Sequence, residues 1–434
     1  MLSAEDNELL TRTNAGTPMG ELLRRFWVPI AKIEEVAEPD CAPVRVTIMG
    51  EDLIIFRDTS GRVGVLDAYC AHRGAPLFFG RNERCGITCV YHGWKYDADG
   101  NCVDMPNEPA TSKFKDHIKL KSYSVREAGG LVWIYMGPRQ TPPELPDLEW
   151  LSVPLSQIYI DKYLVHSNFI QAVEGDHDSS HGSILHSSLS NQFIDDSIDG
   201  QMQFEFGSFH MSDKAPKLFV LETDYGILTA ARRTASEDTY MWRIVPWMKP
   251  FFSLIAFEPG NPLLLNVRVP IDDETSWFFR VFFHPSKEID SSYVPSALVA
   301  ETIPGTYQMV ERLDNDYLID RDKQRTRTFS GIRSVPAQDR AVSERARSVP
   351  GRPGTQDRTA EHLGSADAAI VQIRKSLIKA ARELQNGHEP ELPDNPHAYR
   401  LRQVALELPR DVPFEEGARP YMQGETWERK EFQR

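Results

Sequence analysis

Hydrophobic positions follow helix spacing at the start of this chain and strand patterns soon afterwards. Residues 19–27 carry apolar side chains three and four positions apart, which predicts a helix. Residues 44–56 predict two strands joined by a tight turn, and residues 95–103 predict a hairpin with Asp-Gly at its turn. We therefore expect a helical lead-in over residues 1–40 and a small β domain over residues 41–140.

The remainder of the chain mixes strand and helix patterns. A proline-rich stretch at residues 140–146 separates it from the β domain, and residues 218–283 are again rich in strand pattern. Residues 307–323 and 366–386 carry apolar positions at helix spacing, which predicts amphipathic helices. The chain is therefore predicted to be an α+β protein whose second domain covers residues 141–434.

Composition and charge narrow the class of function. Hydrophobic residues make up 41% of the chain and are spread along it, and no apolar stretch is long enough to cross a bilayer. The first residues lack the basic and apolar regions of a secretory signal, so we expect a cytoplasmic protein with no membrane partner. The formal net charge of -14 argues against nucleic acid as a partner, because phosphate binding requires a positive field.

Two short segments each pair a cysteine with a histidine. Cys70 and His72 form a C-x-H pair, and Cys89 and His92 form a C-x2-H pair. Such a set can bind a structural zinc ion, or it can bind a [2Fe-2S] cluster in which one iron takes both thiolates and the other takes both imidazoles. The glycines that follow the histidines favour the cluster, because they let backbone N–H groups approach its sulfides.

A second set of metal-binding side chains lies in residues 168–186. This segment includes His177, His181 and His186 among several acidic residues. Two imidazoles and one carboxylate suit ferrous iron that keeps open positions for O2. On a regular helix His177 and His181 would lie one turn apart, so spacing alone leaves the histidine pair open.

Both sets of motifs resemble one known family. Residues 70–77 and 89–96 resemble the Rieske motif of ring-hydroxylating oxygenase α subunits. Residues 174–186 resemble the phthalate 4,5-dioxygenase branch of that family, to which aromatic O-demethylase oxygenases are related. The resemblance runs from residue 10 to residue 384. It implies a Rieske β domain followed by a helix-grip (START-like) catalytic domain with an antiparallel sheet and C-terminal helices.

The resemblance also implies roles for residues and an assembly. A Rieske cluster would be held by Cys70, His72, Cys89 and His92. Mononuclear Fe(II) would be held by His181 and His186, the last two histidines of the segment. Asp178 would carry electrons from His92 of one subunit to His181 of the next, within a homotrimer or a hexamer of stacked trimers. A solvated surface position is the alternative for Asp178.

Three aspartates compete for the place of the third iron ligand. Asp316, Asp339 and Asp357 all lie in segments that resemble the phthalate branch. The Gln-Asp-x-Ala-x-x-Glu pattern around Asp339 best matches the position of the family's iron aspartate, so we expect Asp339 to be the ligand. Helix-start or salt-bridge roles are the alternative for the other two. The Asp-His pair at residues 176–177 departs from the smaller or apolar residues expected there, which leaves the role of His177 open.

A predicted hairpin offers candidate substrate contacts. Residues 225–235 and 239–247 read as antiparallel strands. With a turn of two or four residues, Arg232 would share a face with Arg243 at about 7 to 8 Å, and both could bind a carboxylate. A turn of odd length would place them on opposite faces, and a solvated sheet face is the alternative for both.

These expectations describe the terminal oxygenase of a multicomponent system. It would use O2 and electrons from an NADH-dependent flavin and iron–sulfur reductase to hydroxylate, dihydroxylate or O-demethylate a small, carboxylated aromatic compound. A Rieske electron-transfer protein is the alternative from another class, since it would hold the cluster without a second iron. Such proteins are small, and nearly 300 residues of this chain would then have no role.

Overall fold

The computed structural model describes residues 1–189, 213–294 and 296–424. The chain divides into two compact units. The smaller unit covers residues 13–145, and the larger unit covers residues 1–12 together with residues 146–434.

The segment predicted as a helical lead-in, residues 1–40, is shared between the two units. Helix α1 (Ala4–Thr11) begins where the Ser3 side chain accepts a hydrogen bond from the backbone of the first turn. It belongs to the larger unit, in which Asn168 donates a hydrogen bond to the Thr11 carbonyl at 2.8 Å. Helix α2 (Pro18–Leu23) opens the smaller unit.

The smaller unit is a β domain, as the sequence predicted, but it begins at residue 13 and not at residue 41, because strand β1 within the predicted lead-in pairs with β10. Its strands are β1 (Trp27–Lys32), β2 (Val44–Ile48), β3 (Glu51–Arg57), β4 (Val63–Asp67), β5 (Arg81–Asn82), β6 (Ile87–Thr88), β7 (Lys95–Tyr96), β8 (Cys102–Asp104), β9 (Ser124–Ala128) and β10 (Leu131–Tyr135). They form three antiparallel sheets in the orders β1-β10-β9, β2-β3-β4 and β5-β6-β7-β8. The predicted hairpins therefore appear as β2–β3 and β7–β8.

The larger unit is built on an antiparallel sheet, which confirms the predicted sheet type. Its strands are β11 (Ile158–Val165), β12 (Lys217–Glu222), β13 (Gly226–Thr234), β14 (Thr239–Met248), β15 (Phe252–Ile255), β16 (Leu263–Pro270), β17 (Ser276–Phe283), β18 (Ser348–Val349), β19 (Arg352–Gln356) and β20 (Val404–Pro409). Among the described residues the main sheet runs β11-β17-β16-β15-β14-β13-β12, and β20 pairs with β14. Strands β18 and β19 form a separate hairpin.

Besides α1, the larger unit contains six α-helices among its described residues, and two of them pack on this sheet. The six are α3 (Phe169–His177), α4 (Arg321–Thr326), α5 (Val335–Glu344), α6 (Ala368–Gln385), α7 (Phe414–Gly417) and α8 (Arg419–Met422). Helix α3 begins at Asn168, whose side chain accepts from the Ile170 N–H, and it packs on β15 and β16. Helix α6 buries apolar residues at three- and four-residue spacing and packs on β12 and β13, as its pattern predicted.

The single helix predicted over residues 307–323 is wrong. A short 3-10 segment, Leu313–Leu318, is interrupted at Asp316 and Tyr317, which adopt left-handed φ values of 49° and 55°. Helix α4 then starts afresh at Asp320, whose carboxylate accepts from two backbone N–H groups of the first turn. The spacing of apolar residues gives no sign of this break in the backbone, and it therefore predicted one continuous helix.

Within the part of the chain that the structure describes, no helix combines the length and the apolar character needed to span a bilayer.

Candidate metal sites and substrate cavity

Two loops of the smaller unit each contain the same kind of hydrogen-bonded turn. The first lies between β4 and β5 and the second between β6 and β7. Gly74 N–H donates to the Cys70 carbonyl, and Gly93 N–H donates to the Cys89 carbonyl, each at 2.9 Å. The glycines have φ values of 68° and 80°, a region that other residues rarely adopt. Each loop thus begins at a predicted cysteine ligand and closes at a glycine.

These loops bring the four predicted cluster ligands together. Cys70 and Cys89 are only 3% and 2% exposed, and the rings of His72 and His92 lie 4.5 Å apart, centroid to centroid. Burial raises the pKa of the Cys70 thiol, although a hydrogen bond with the Tyr96 hydroxyl at 3.2 Å opposes this effect. The His72 Nδ1 atom is buried and has no hydrogen-bond partner among the described residues. A buried, unpartnered ring nitrogen is what a metal ligand presents before the metal binds.

The spacing of these ligands distinguishes a cluster from a zinc ion. A tetrahedral zinc ion holds its ligand atoms close together, since its bonds to nitrogen and sulfur are about 2.0 to 2.3 Å long. In the described part of the chain, no three of the four residues have ligand atoms that all lie within 4.8 Å of one another. A Rieske cluster spreads its ligands, because the thiolates and the imidazoles bind different irons. The residues fit the cluster.

The second candidate metal site is in the larger unit. His181 and His186 lie in the segment that follows α3, and Asp339 lies on α5. The ligand atoms of these three residues are all within 4.8 Å of one another. Asp339 Oδ1 is 3.7 Å from His181 Nε2 and 3.2 Å from His186 Nε2. Two imidazoles and one carboxylate on one side fit ferrous iron with open positions.

Asp178 lies on the other side of the His181 ring. Its Oδ2 atom is 3.6 Å from His181 Nδ1, and its Oδ1 accepts from the Ser180 N–H at 2.7 Å. Burial alone would lower the pKa of His181, but Asp178 and Asp339 outweigh it and raise that pKa. In turn, His181 outweighs burial and lowers the pKa of Asp178, which therefore remains ionised beside the ring.

His177, the third histidine of the segment, contacts a different residue. His177 Nε2 is 3.2 Å from the Ser253 hydroxyl, and burial lowers the pKa of His177 to about 4. His177 is therefore neutral at pH 7, and it is not part of the group that His181 forms with His186 and Asp339.

The two competing aspartates have other partners. Asp316 Oδ1 accepts from Arg345 at 3.2 Å, on an exposed part of the chain. Asp357 Oδ1 accepts from both the N–H and the hydroxyl of Thr359 and so closes a local turn. The structure therefore brings Asp339, and neither of these residues, to the two histidines.

The prediction that Arg232 and Arg243 share a sheet face is wrong. Arg232 lies opposite Trp242, whereas Arg243 lies opposite Ala231. Directly paired residues share a face and successive residues alternate, so the two arginines point to opposite faces. The reason is the turn, which holds three residues, 236–238, and not the even number that the prediction assumed.

The two arginines consequently have different surroundings. The Arg232 guanidinium lies over the ring of Tyr240, 4.1 Å from its centroid. Arg243 lines a cavity that also includes His181 and Asp339. Burial lowers the pKa of Arg243 to about 10, so the guanidinium is still charged at neutral pH.

This cavity has the size and lining of a small-molecule site. Its volume is about 340 Å³, near the lower end of the range for ligand pockets. Apolar side chains on its wall include Val165, Leu185, Ile255, Leu264, Phe278 and Leu298. An aromatic ring fits such a lining.

Sequence reasoning missed an ion pair in the cavity wall. Asp176 Oδ1 accepts from both Arg268 and Asn266, each at 2.7 Å. All three residues line the cavity. The unexpected acid at residue 176 was a signal of this pair. The strand pattern around Arg268 gave no such signal, because a strand pattern does not show which side chains of other elements lie opposite each of its residues.

Two family models match this chain. The model described as Rieske [2Fe-2S] domain matches residues 26–123, and the model described as LigXa C-terminal domain like matches residues 134–402.

Curated relatives and a solved structure resemble this chain over most of its length. The chain is 37% identical to the phthalate 4,5-dioxygenase oxygenase subunit of Pseudomonas putida, over 89% of this chain and 88% of the relative. It is 32% identical to the 5,5'-dehydrodivanillate O-demethylase oxygenase subunit of Sphingobium sp., over 90% of this chain and 83% of the relative. The fold is similar to that of dicamba monooxygenase bound to dicamba, with a TM-score of 0.58 and 19% identity, over 84% of this chain and 99% of that structure.

Proposed function

This chain belongs to the Rieske oxygenases and is the oxygenase subunit of such a system, and we propose that it oxidises a small aromatic carboxylate. One observation carries the proposal for the substrate. Arg243 lines the cavity at the candidate iron site, and among the described residues no carboxylate forms an ion pair with it; Asp176 and Asp178 act on its charge only from a distance. Burial of a guanidinium that no carboxylate binds directly is costly, and a substrate carboxylate would provide two charge-assisted hydrogen bonds.

The cofactors are a [2Fe-2S] Rieske cluster and a mononuclear iron. We assign the cluster to Cys70, His72, Cys89 and His92. The iron is assigned to a second set of residues, His181, His186 and Asp339. When bound, the cluster supplies single electrons and the iron activates O2.

The protein's own side chains position the substrate. Arg243 anchors the carboxylate, and the apolar wall that includes Phe278 and Leu264 holds the ring and excludes water. Gln338 binds the Nδ1 atom of His186 at 2.6 Å and keeps its Nε2 atom directed at Asp339. Asp178 fixes His181 from the opposite side of its ring.

The proposal includes partners and an assembly. An NADH-dependent reductase that carries flavin and an iron–sulfur centre would supply the electrons, which places the reaction in the cytoplasm where NADH is available. The subunits would form a homotrimer or a hexamer of stacked trimers. In that assembly His92 of one subunit would reach His181 of the next through Asp178. Analytical ultracentrifugation gives the oligomeric state directly.

The test measures products of the reconstituted system. Iron-loaded protein is combined with a compatible reductase, NADH and O2, and with a panel of carboxylated, methoxylated and uncharged aromatic compounds. Mass spectrometry then identifies the products. We expect oxidation of carboxylated compounds and none of their uncharged analogues. A cis-diol that gains both oxygen atoms identifies a ring dioxygenase, whereas formaldehyde with a phenol identifies an O-demethylase.

Paired arginine variants test the anchor. Arg243→Ala should lower kcat/KM for carboxylated substrates by about 10- to 100-fold, the usual value of a hydrogen-bonded charge. Arg232→Ala is the matched control on the other sheet face, and it should leave kcat/KM unchanged. The substrate proposal fails if the Arg243 variant keeps wild-type kcat/KM, or if only uncharged compounds are oxidised.

A further inference from the structure

The arginines of the cavity wall differ in their charge partners. Four of them, Arg243, Arg268, Arg280 and Arg340, line the cavity. Three form ion pairs: Arg268 with Asp176 at 2.7 Å, Arg280 with Asp161 at 2.7 Å, and Arg340 with Glu344 at 2.8 Å. Arg243 has no such pair among the residues that the structure describes.

The pair of Asp176 and Arg268 is held firmly. Arg268 donates from Nε and from a terminal nitrogen to the two carboxylate oxygens, at 3.1 and 2.7 Å. Asn266 adds a third hydrogen bond to Asp176 at 2.7 Å, and the Arg268 guanidinium lies 3.5 Å from the centroid of the Phe278 ring. The side chains of Arg268 and Asp176 are only 11% and 5% exposed. A bidentate pair of this kind is strong and well oriented.

Asp176 differs from the other two partner acids in its position. It lines the cavity itself, whereas Asp161 and Glu344 do not. A ligand that reached Arg268 would therefore meet the Asp176 carboxylate at the same place. A second carboxylate on the substrate would have to displace it and would be repelled by it.

The charges of the cavity then leave room for one anion. Each of the three ion pairs is neutral, and the carboxylates of Asp178 and Asp339 are offset by a divalent metal ion on the proposed ligands. Of the four arginines that line the cavity, Arg243 is then the one whose charge remains, and one substrate carboxylate neutralises it. The neighbouring Arg233 lies outside the lining, where its guanidinium donates to the Ser179 carbonyl. Burial of a further charge without a partner is strongly unfavourable.

We infer that Asp176 is a specificity-determining residue that restricts this cavity to aromatic substrates with a single carboxylate, because it occupies the arginine that would bind a second one. The inference rests on the proposed function, and it specifies the substrate class. It predicts that substitution of Asp176 removes the preference for substrates with one carboxylate. A second substitution, at its partner Arg268, should restore that preference.

The experiment measures dissociation constants by anaerobic calorimetry for the iron-loaded protein. The probes are benzoate and the three benzenedicarboxylates. The wild-type protein should bind benzoate more tightly than any dicarboxylate. Asp176→Asn frees Arg268 and should tighten binding of at least one dicarboxylate by about tenfold or more. Arg268→Gln leaves Asp176 without a partner and should weaken binding of all four acids.

The double variant D176N/R268Q is the decisive control, because it removes both charges and restores the wild-type charge balance. It should return to the preference for benzoate, a reversal that a merely structural role of Asp176 would not produce. Iron content and melting temperature are measured for each variant. If D176N does not fold, the weakened binding expected for R268Q still tests the inference.

Two outcomes separate this inference from the proposal on which it rests. A wild-type protein that binds none of the four acids overturns both. A wild-type protein that binds benzoate through Arg243, but prefers a dicarboxylate or keeps its preference unchanged in D176N, overturns the role of Asp176 alone.

Discussion

His186 presents one ring nitrogen to the proposed iron position because its other nitrogen is already bound. The amide nitrogen of Gln338 donates to the Ile332 carbonyl at 2.8 Å, which fixes the orientation of the amide. Gln338 Oε1 then faces His186 Nδ1 at 2.6 Å. An amide oxygen only accepts, so Nδ1 carries the proton and Nε2 is left as the ligand atom.

This hydrogen bond gives a prediction at the residue scale. Gln338→Leu keeps the shape of the side chain but removes the acceptor, so the imidazole loses its fixed tautomer. Iron affinity should fall by about 10- to 100-fold, as is usual when the partner of a ligating histidine is lost. Titration of the metal-free protein with Fe(II) measures the change.

The control for Gln338→Leu is Gln324→Leu, since Gln324 accepts from Arg321 on an exposed part of α4. It should bind iron like the wild-type protein. The [2Fe-2S] content should be unchanged in both variants. Equal iron affinity in all three proteins would contradict the assigned role of Gln338.

At the scale of elements, the two cluster loops have the same backbone turn but different surroundings. A Cβ atom on Gly93 would lie 2.4 Å from Pro106 Cγ, whereas a Cβ atom on Gly74 would meet nothing within 4 Å. Both glycines have positive φ, so alanine at either position carries a similar backbone cost of about 1–2 kcal/mol. Only the second loop adds a steric clash.

We therefore predict different results for the two alanine variants. Gly93→Ala should displace the loop of Cys89 and His92 and lower the cluster content of the purified protein. Gly74→Ala, its counterpart in the first loop, should retain the cluster with a modest loss of stability. Acid-labile sulfide and visible absorbance per subunit measure the cluster content. Equal cluster content in both variants would contradict the prediction, because it would show that the loop avoids the clash without losing the cluster.

At the scale of the whole molecule, the predicted cluster ligands and the predicted iron ligands belong to different units of the chain. The first set lies within residues 13–145, and the second lies in the unit that contains residues 146–434. Turnover requires electrons to pass from one cofactor to the other. The proposed route runs between neighbouring subunits through Asp178.

Mixed assemblies test this route. Asp178→Ala should keep both metals but stop turnover, because it removes the proposed link beside His181. Cys89→Ser should lose the cluster and also be inactive. Co-expressed chains with different affinity tags should form mixed oligomers that regain activity, since an intact cluster of one variant can serve the intact iron site of the other. Product formation with a known substrate is the measurement.

The outcome distinguishes two routes. Mixed oligomers that contain both cofactors but stay inactive would indicate transfer within one chain. Normal turnover of Asp178→Ala by itself would refute the bridging role.

The sequence by itself determined the features that depend on local spacing. The cysteine and histidine pairs at residues 70–72 and 89–92 predict a metal site, because ligands so close in sequence lie close together once the chain folds locally, and the glycines beside them favour a cluster. The strand and helix patterns similarly predicted the β domain, the β13–β14 hairpin and helix α6, whereas the resemblance implied the antiparallel sheet as a whole. Family resemblance then pointed to an oxygenase, which the family models and relatives confirm.

Only the tertiary structure decided which distant residues meet. Asp339 reaches His181 and His186 because α5 lies beside the segment that follows α3. The face of Arg243 depended on a three-residue turn, because a change of one residue in a turn reverses every side chain of the following strand. The pairing of Asp176 with Arg268 joins a helix to a strand 92 positions away, and no local pattern records such a contact. Charge balance in the cavity is therefore a property of the packed molecule.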